Sequence, residues 1–230
     1  MAKYSKASTL LYRKVLPELL QQKIDVIRGE SQVFKECFEP TKSIFIHVPK
    51  AAGTSIARSI YGQSVGHRKA TDYIRVSRKT FKQYFSYGFV RNPWDRTVSA
   101  YHFAKQGGTQ HVQPIENKVY QSKKFRSFES FVKEWLVEVN LEKEDVVFAP
   151  QYWWLYENSR CAVNRIGKLE NLDSEIGYLE TKIGINVNIP KLNVSDKSKN
   201  FFQYYTPDLV DIVGEIYAKD IKLFNYEYTG

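Results

Sequence analysis

The stretch SIFIHVPKAAGTS, residues 43–55, constrains the fold more than any other part of the chain. Residues 43–48 are mostly β-branched or aromatic, the composition of a short buried strand. After Pro49 come the small residues Ala51, Ala52 and Gly53. From Thr54 to Tyr61 the apolar positions fall at helical spacing, and Gly62 ends them. The pattern predicts strand, tight loop, helix. Such a unit points the N–H groups of the loop and first helical turn at one place beyond the strand, a seat for an anion.

The same grammar returns further on. Residues 84–90, YFSYGFV, read as a second strand, and RNPWDRTVSAYHF begins a second helix. There Asn92 can cap, Pro93 suits the first turn and Asp95 favours the positive end of the helix dipole. Elsewhere the pattern predicts an amphipathic helix over 17–27 opened by Pro17 and closed by Gly29, and a helix over 128–139. A strand within 161–172 and a helix over 173–183 follow. A last helix opens at Thr206 and Pro207, with Leu209, Ile212, Val213, Ile216 and Tyr217 on one face. Residues 105–124 and 192–200 lack periodicity and read as exposed loops. Strands alternating with helices predict an α/β protein of three layers, a central parallel sheet between helices, with binding loops at the strand C-terminal ends. No repeat or linker divides the chain. We expect one domain over 1–230, with a helical extension at 1–42 and a catalytic core at 43–230.

Charge and cysteine content narrow the function classes. A net charge of +9 favours polyanionic partners, and an apolar fraction of 43% is enough to fill a core and excludes wholesale disorder. Cys37 and Cys161, with no CxxC or Cys/His cluster, make neither a disulfide framework nor a zinc site. No run reaches the roughly 18 apolar residues of a membrane span, and the basic N-terminus lacks the apolar core of a signal peptide. The expectation is a soluble, cytoplasmic protein.

The candidate chemistry sits at the two strand ends. Ala51, Ala52 and Gly53 let the backbone close round an anion, Lys50 adds a mobile positive charge, and Thr54 and Ser55 add hydroxyl donors. In GxxxxGK[ST], the Walker A pattern, the lysine follows the glycine, whereas here it precedes it, so the ATP/Mg²⁺ reading does not carry over. The second strand ends in Arg91 and not in an acid that would hold Mg²⁺. Arg91 offers bidentate bonds to a phosphate, and Ser99, about two turns into the next helix, offers a hydroxyl. Two anion pockets on neighbouring strand ends suit a molecule phosphorylated at both its 5′ and 3′ ends.

Three segments carry a family resemblance. HVPKAAGTS resembles the 5′-phosphosulfate loop of the sulfotransferases that use 3′-phosphoadenosine 5′-phosphosulfate (PAPS). VRNPWDRTVSAY resembles their 3′-phosphate motif, and the segment from LNVSDKSKN to LFNYEY is similar to the C-terminal pattern of the carbohydrate O-sulfotransferase branch (sulfotransferase family 2). The three stand in the family's order and span about 44–228. The resemblance implies a P-loop-like nucleotide-binding core and transfer of a sulfuryl group from PAPS to an acceptor hydroxyl or amine, of which we expect a hydroxyl, without a metal. It implies that Lys50 is the catalytic lysine, that Gly53, Thr54 and Ser55 hold the 5′-phosphosulfate beside Ala51 and Ala52, and that Arg91 and Ser99 hold the 3′-phosphate. Lys197 and Lys199 would close over the nucleotide. Related O-sulfotransferases carry a catalytic histidine near the position of His67, whose ordinary pKa suits a general base. His102, Glu157 and Glu170 remain alternatives, whereas His47, within the strand, reads as packed or as orienting the loop, and His111, in the long loop, as a residue that meets the acceptor. The acceptor implied is a saccharide, an anionic one if the basic run QSKKFRSF (121–128) meets it, and the aromatic run QYWWLYE (151–157) reads either as core or as a stacking platform. The family's Golgi members have an anchor and lumenal disulfides; lacking both, this chain is expected to be a cytoplasmic enzyme or a trimmed domain. Neither nucleic acid nor a membrane is an expected partner. Two other readings stay open: a small-molecule kinase using the same cradle, and a non-enzymatic polyanion-binding module in which charge alone acts. Oligomeric state is not legible.

Overall fold

A computed structural model describes residues 17, 20, 33–107, 119–189 and 201–229. The chain divides into two compact units, Met1–Glu36 and Cys37–Gly230. Most of the segment 17–27, His111, and the loop 192–200 with Lys197 and Lys199 lie outside the described residues.

The second unit runs β1 (Ser43–Ile46), α1 (Gly53–Tyr61), α2 (Ala70–Phe81), β2 (Phe85–Val90) and α3 (Pro93–Lys105). It continues with a helix that starts as α4 (Phe128–Ser130) and widens to a π-helix over Phe131–Leu136, then α5 (Tyr152–Leu155), β3 (Tyr156–Glu157), β4 (Arg160–Cys161), β5 (Arg165–Lys168), α6 (Leu172–Ile183), α7 (Pro207–Ile216) and α8 (Ala218–Phe224). β1, β2 and β5 form a parallel sheet in that order, with Ile46 opposite Gly88 and Val90 opposite Lys168. β3 and β4 form a separate antiparallel pair. The protein is thus α/β, with helices flanking a three-stranded parallel sheet. β1 is buried along its whole length, as its unbroken apolar run requires of a strand covered on both faces.

The expected strand within 161–172 is shorter than its apolar run. Only Arg165–Lys168 joins the sheet. Just before it, the Asn164 side chain accepts from the Ser86 N–H at 2.8 Å and from its hydroxyl at 2.9 Å, standing in for a rung of the ladder, and Leu169–Asn171 turns into a 3-10 helix. α2 was not expected. It buries Ala70, Tyr73, Ile74 and Phe81, but Ser77 at φ −158° and ψ 102° interrupts it, and the Ser77 hydroxyl accepts from the Thr80 N–H at 3.1 Å to begin a fresh turn. That break splits the apolar period. Aromatic rings fill much of the core: Phe38, Phe45, Tyr87 and Phe89 near the sheet, and Phe125, Phe131, Trp135 and Phe148 under the π-helix.

Candidate active site

Parallel neighbours open their C-terminal ends on one edge, so the segments following β1 and β2 meet there. After β1 the chain turns through Lys50 (φ 66°) and Ala52 (φ 57°), both left-handed, before α1 begins. Such alternation makes successive N–H groups converge. Among the described residues, the N–H groups of Ala52, Gly53 and Thr54 have no hydrogen-bond partner, while that of Ser55 is spent on the Ala52 carbonyl at 3.2 Å. Thr54 is exposed and Ser55 half-buried; Ala51 and Gly53 are buried. Glycine at 53 has a steric reason. A Cβ there would lie 1.9 Å from Cδ2 of the buried His47 ring. Gly53→Ala is therefore expected to destabilise the fold by about 1–3 kcal/mol, the usual cost of overpacking; calorimetry showing an unchanged melting temperature would contradict this contact.

After β2, Asn92 caps α3 as its sequence proposes, its side chain accepting from the N–H groups of Trp94 at 3.0 Å and Asp95 at 3.3 Å. Arg91 lies just before this cap. Its guanidinium makes a two-pronged pair with Asp95, at 2.6 and 2.7 Å, and donates to the Lys50 carbonyl at 3.4 Å. Asp95, expected only to favour the helix dipole, therefore also aims Arg91. Ser99 and Phe103 follow Asp95 at intervals of four and so share its face of α3. The Lys50 ammonium stands 4.4 Å above the Phe103 ring. Arg91, the half-buried Ser99 and Lys50 thus address one face of one helix. Burial, then the nearby positive charges of Arg91 and Arg96, pull the Lys50 pKa from 10.5 down to about 8, against a smaller opposing pull from Asp145. Two guanidinium groups beside one ammonium make a site that gains from an anion.

The exposed His67, on the segment between α1 and α2, hydrogen-bonds through Nδ1 to the His47 carbonyl at 3.0 Å, and the two rings lie 4.0 Å apart. A carbonyl only accepts, so Nδ1 carries the hydrogen of this bond, and in the neutral ring the lone pair is on Nε2. His47 is 5% exposed, its Nδ1 has no partner, and burial followed by the His67 charge lowers its pKa to about 3. It is neutral near pH 7.

The other candidates are engaged elsewhere. His102 Nε2 bonds the Tyr204 hydroxyl at 2.9 Å. Glu170 accepts from the Asn92 N–H at 2.5 Å and the Tyr226 hydroxyl at 2.9 Å, holding the start of α3. Glu157 pairs with Arg78 at 2.8 Å and lines a cavity of about 700 Å³ shared with Ser86 and Asn164, at the opposite end of the sheet. In the run 151–157, Trp154 and Leu155 are core, while the half-buried Tyr152 and Trp153 carry the ammonium groups of Lys219 and Lys69 over their rings at 4.1 and 5.3 Å. In 121–128, Phe125 is buried and Lys124 pairs with Glu138 at 2.9 Å.

Sequence reading missed Gln151, Arg96 and Asp220. Arg96 is buried and donates to the carbonyls of Val147 at 3.1 Å and Ala149 at 2.7 Å. An arginine one turn into a helix tells nothing by itself of the loop it will grip. Both cysteines are free thiols. Among the described residues there is no cluster of three or more His, Cys, Asp or Glu side chains able to hold a metal, and no helix long and apolar enough to cross a membrane.

A protein of Archaeoglobus fulgidus described as uncharacterized is 33% identical over 113 residues, 48% of this chain and 77% of that one. No solved structure matches. A family model described as "Sulfotransferase family" matches residues 38–227, which takes in both strand–loop–helix units and the C-terminal helices. The chain belongs to the sulfotransferase family, whose members transfer a sulfuryl group to an acceptor.

Proposed function

We propose that this sulfotransferase takes its sulfuryl group from PAPS and delivers it to a saccharide hydroxyl, and that its β1–loop–α1 unit serves as a P-loop-like nucleotide core. The observation that carries the reading is the convergence of the Lys50 ammonium, the Arg91 guanidinium and Ser99 on one face of α3, beside the unpartnered N–H groups of Ala52, Gly53 and Thr54. Those donors fit a ligand with an anionic group at each end.

PAPS, when bound, supplies an activated sulfuryl group and a good leaving phosphate. The N–H groups of residues 52–54, with the Thr54 and Ser55 hydroxyls, hold the 5′ end on the N-terminus of α1. Arg91 and Ser99 hold the 3′-phosphate. Lys50 places its charge where negative charge grows on the leaving oxygen, and its half-buried setting strengthens that interaction. Nε2 of His67 takes the proton of the acceptor hydroxyl. Lys197 and Lys199 belong to the same reading as cations that close over the donor. Tyr152 and Trp153, with Lys219 and Lys69 above their rings, suit a saccharide that carries an acid group. Two free thiols fit a cytoplasmic location.

A thermal-shift experiment with adenosine 3′,5′-bisphosphate (PAP, the desulfated product), ATP with Mg²⁺, and ADP tests the donor. At a hundredfold excess over Kd, PAP without metal should add about 2.7 kcal/mol to the stability, about 5–10 °C for a domain of this size. Arg91→Ala should abolish the shift. Stabilisation by ATP with Mg²⁺ and not by PAP would overturn the donor assignment in favour of a kinase.

A further inference from the structure

Arg91 follows directly on β2, beyond the last residues of β1 and β5 that pair with that strand, and its backbone is held by a side chain. The Gln151 amide oxygen accepts from the Arg91 N–H at 2.9 Å, and the Gln151 amide nitrogen donates to the Arg91 carbonyl at 2.8 Å. Both groups of one residue are thus satisfied by one amide, as a neighbouring strand would satisfy them. Gln151 is 0% exposed. Its own backbone is fixed by Asp220 of α8, also 0% exposed, whose two oxygens accept from the N–H groups of Gln151 at 2.7 Å and Tyr152 at 2.9 Å. From the other side, Arg96 takes the carbonyls of Val147 and Ala149. The segment 147–152 is therefore held by its carbonyls at one end and by its amides at the other, between a buried cation and a buried anion. Two buried charges are a heavy desolvation load for one loop. What that loop delivers is the Gln151 amide.

We propose that Gln151 is a positioning residue for the donor site: it fixes the backbone of Arg91, so that the guanidinium reaches Asp95 and the Lys50 carbonyl, and Asp220 and Arg96 keep Gln151 in place. The proposal rests on the reading of Arg91 as a donor-binding residue. Gln151→Met keeps the length of the side chain and removes both bonds. PAP affinity should fall about 10- to 100-fold, the scale of one misplaced charge-assisted hydrogen bond to phosphate, with an unchanged far-ultraviolet circular dichroism spectrum.

A double-mutant cycle separates positioning from bulk stability. Gln151→Met made in the Arg91→Ala background should cost no further PAP affinity, read by titration calorimetry at PAP concentrations high enough to follow the residual binding of Arg91→Ala, whereas a general weakening of the fold would cost the same in both backgrounds. Hydrogen exchange gives a readout independent of the ligand: the Arg91 amide should exchange at least about tenfold faster in Gln151→Met, having lost its acceptor. Additive losses, or an Arg91 amide as protected as in the wild type, overturn the proposal. If Arg91→Ala itself binds PAP normally, the donor reading fails, and the exchange rate still decides whether Gln151 holds Arg91. Should Gln151→Met not fold, Gln151→Glu carries the double-mutant cycle alone: it sets an oxygen against the Arg91 carbonyl while keeping the acceptor of the Arg91 N–H, so that amide is expected to stay protected.

Discussion

Replacing Lys50 by Met is expected to lower turnover about 10³-fold, the scale set by removing one donor from a site of developing negative charge. Saturating donor should not rescue the rate, because the lost interaction belongs to the transition state. The pH dependence gives the same residue a second signature. Its folded-state pKa of about 8 lies below the ordinary 10.5, so near pH 7 it is charged in both states and the folded state carries the cost of confining that charge. As pH rises from about 8 to 10.5 the folded protein releases the proton first, and this group's contribution to stability rises with pH in that window. An anion reverses the balance by drawing the pKa back up, so binding takes up a proton once the free site has lost one. PAP affinity should therefore be level between about pH 7 and 8, above the titration of the ligand's phosphates at about pH 6, and fall above about pH 8, approaching tenfold per unit. In Lys50→Arg, which stays charged, the fall should vanish. A pH-independent affinity in the wild type would remove Lys50 from the donor site.

His67→Ala is expected to lower turnover by about 10²–10⁴-fold, the contribution of a positioned general base. PAP binding should change little, because His67 reaches toward the exposed side of the loop and its one described bond is to the His47 carbonyl. Titration calorimetry with PAP and single-turnover sulfation measure the two halves separately. The hydrogen on Nδ1 makes a further demand: His67→Asn, whose amide can reproduce the bond to the carbonyl, should recover fold and binding but not rate. Lost PAP binding, or retained turnover, excludes His67 as the base.

The two strand–loop–helix units could be read from residue order because each is built from contacts close in sequence. The Asn92 side chain caps a helix that begins at the next residue, and Gly62, at φ 68°, closes one that ends at its neighbour. Lys50 and Arg91 stood out for the same reason: strand ends are visible locally, and parallel strands bring them to one edge. Helix α2 failed the same test, because the turn restarted by Ser77 shifts its apolar period. Gln151 escaped because a glutamine after a proline, in an aromatic run, carries no sign of a strand end 60 positions earlier. Asp220 likewise reads as an ordinary surface acid on an amphipathic helix until its two backbone partners are known. The distance in sequence, and not the chemistry, hid them.

That distance has a consequence for how the protein matures. Lys50, Arg91, Gln151 and Asp220 are joined by direct hydrogen bonds although the chain between the first and the last spans most of its length. Contacts so remote in sequence must overcome the entropy of closing long loops and form late. During synthesis the residue that steadies Gln151 emerges long after the cradle around Lys50, so a nascent chain can display the loop without the geometry that grips an anion. On the proposed donor reading, a chain that binds nucleotide is one in which α8 has already docked.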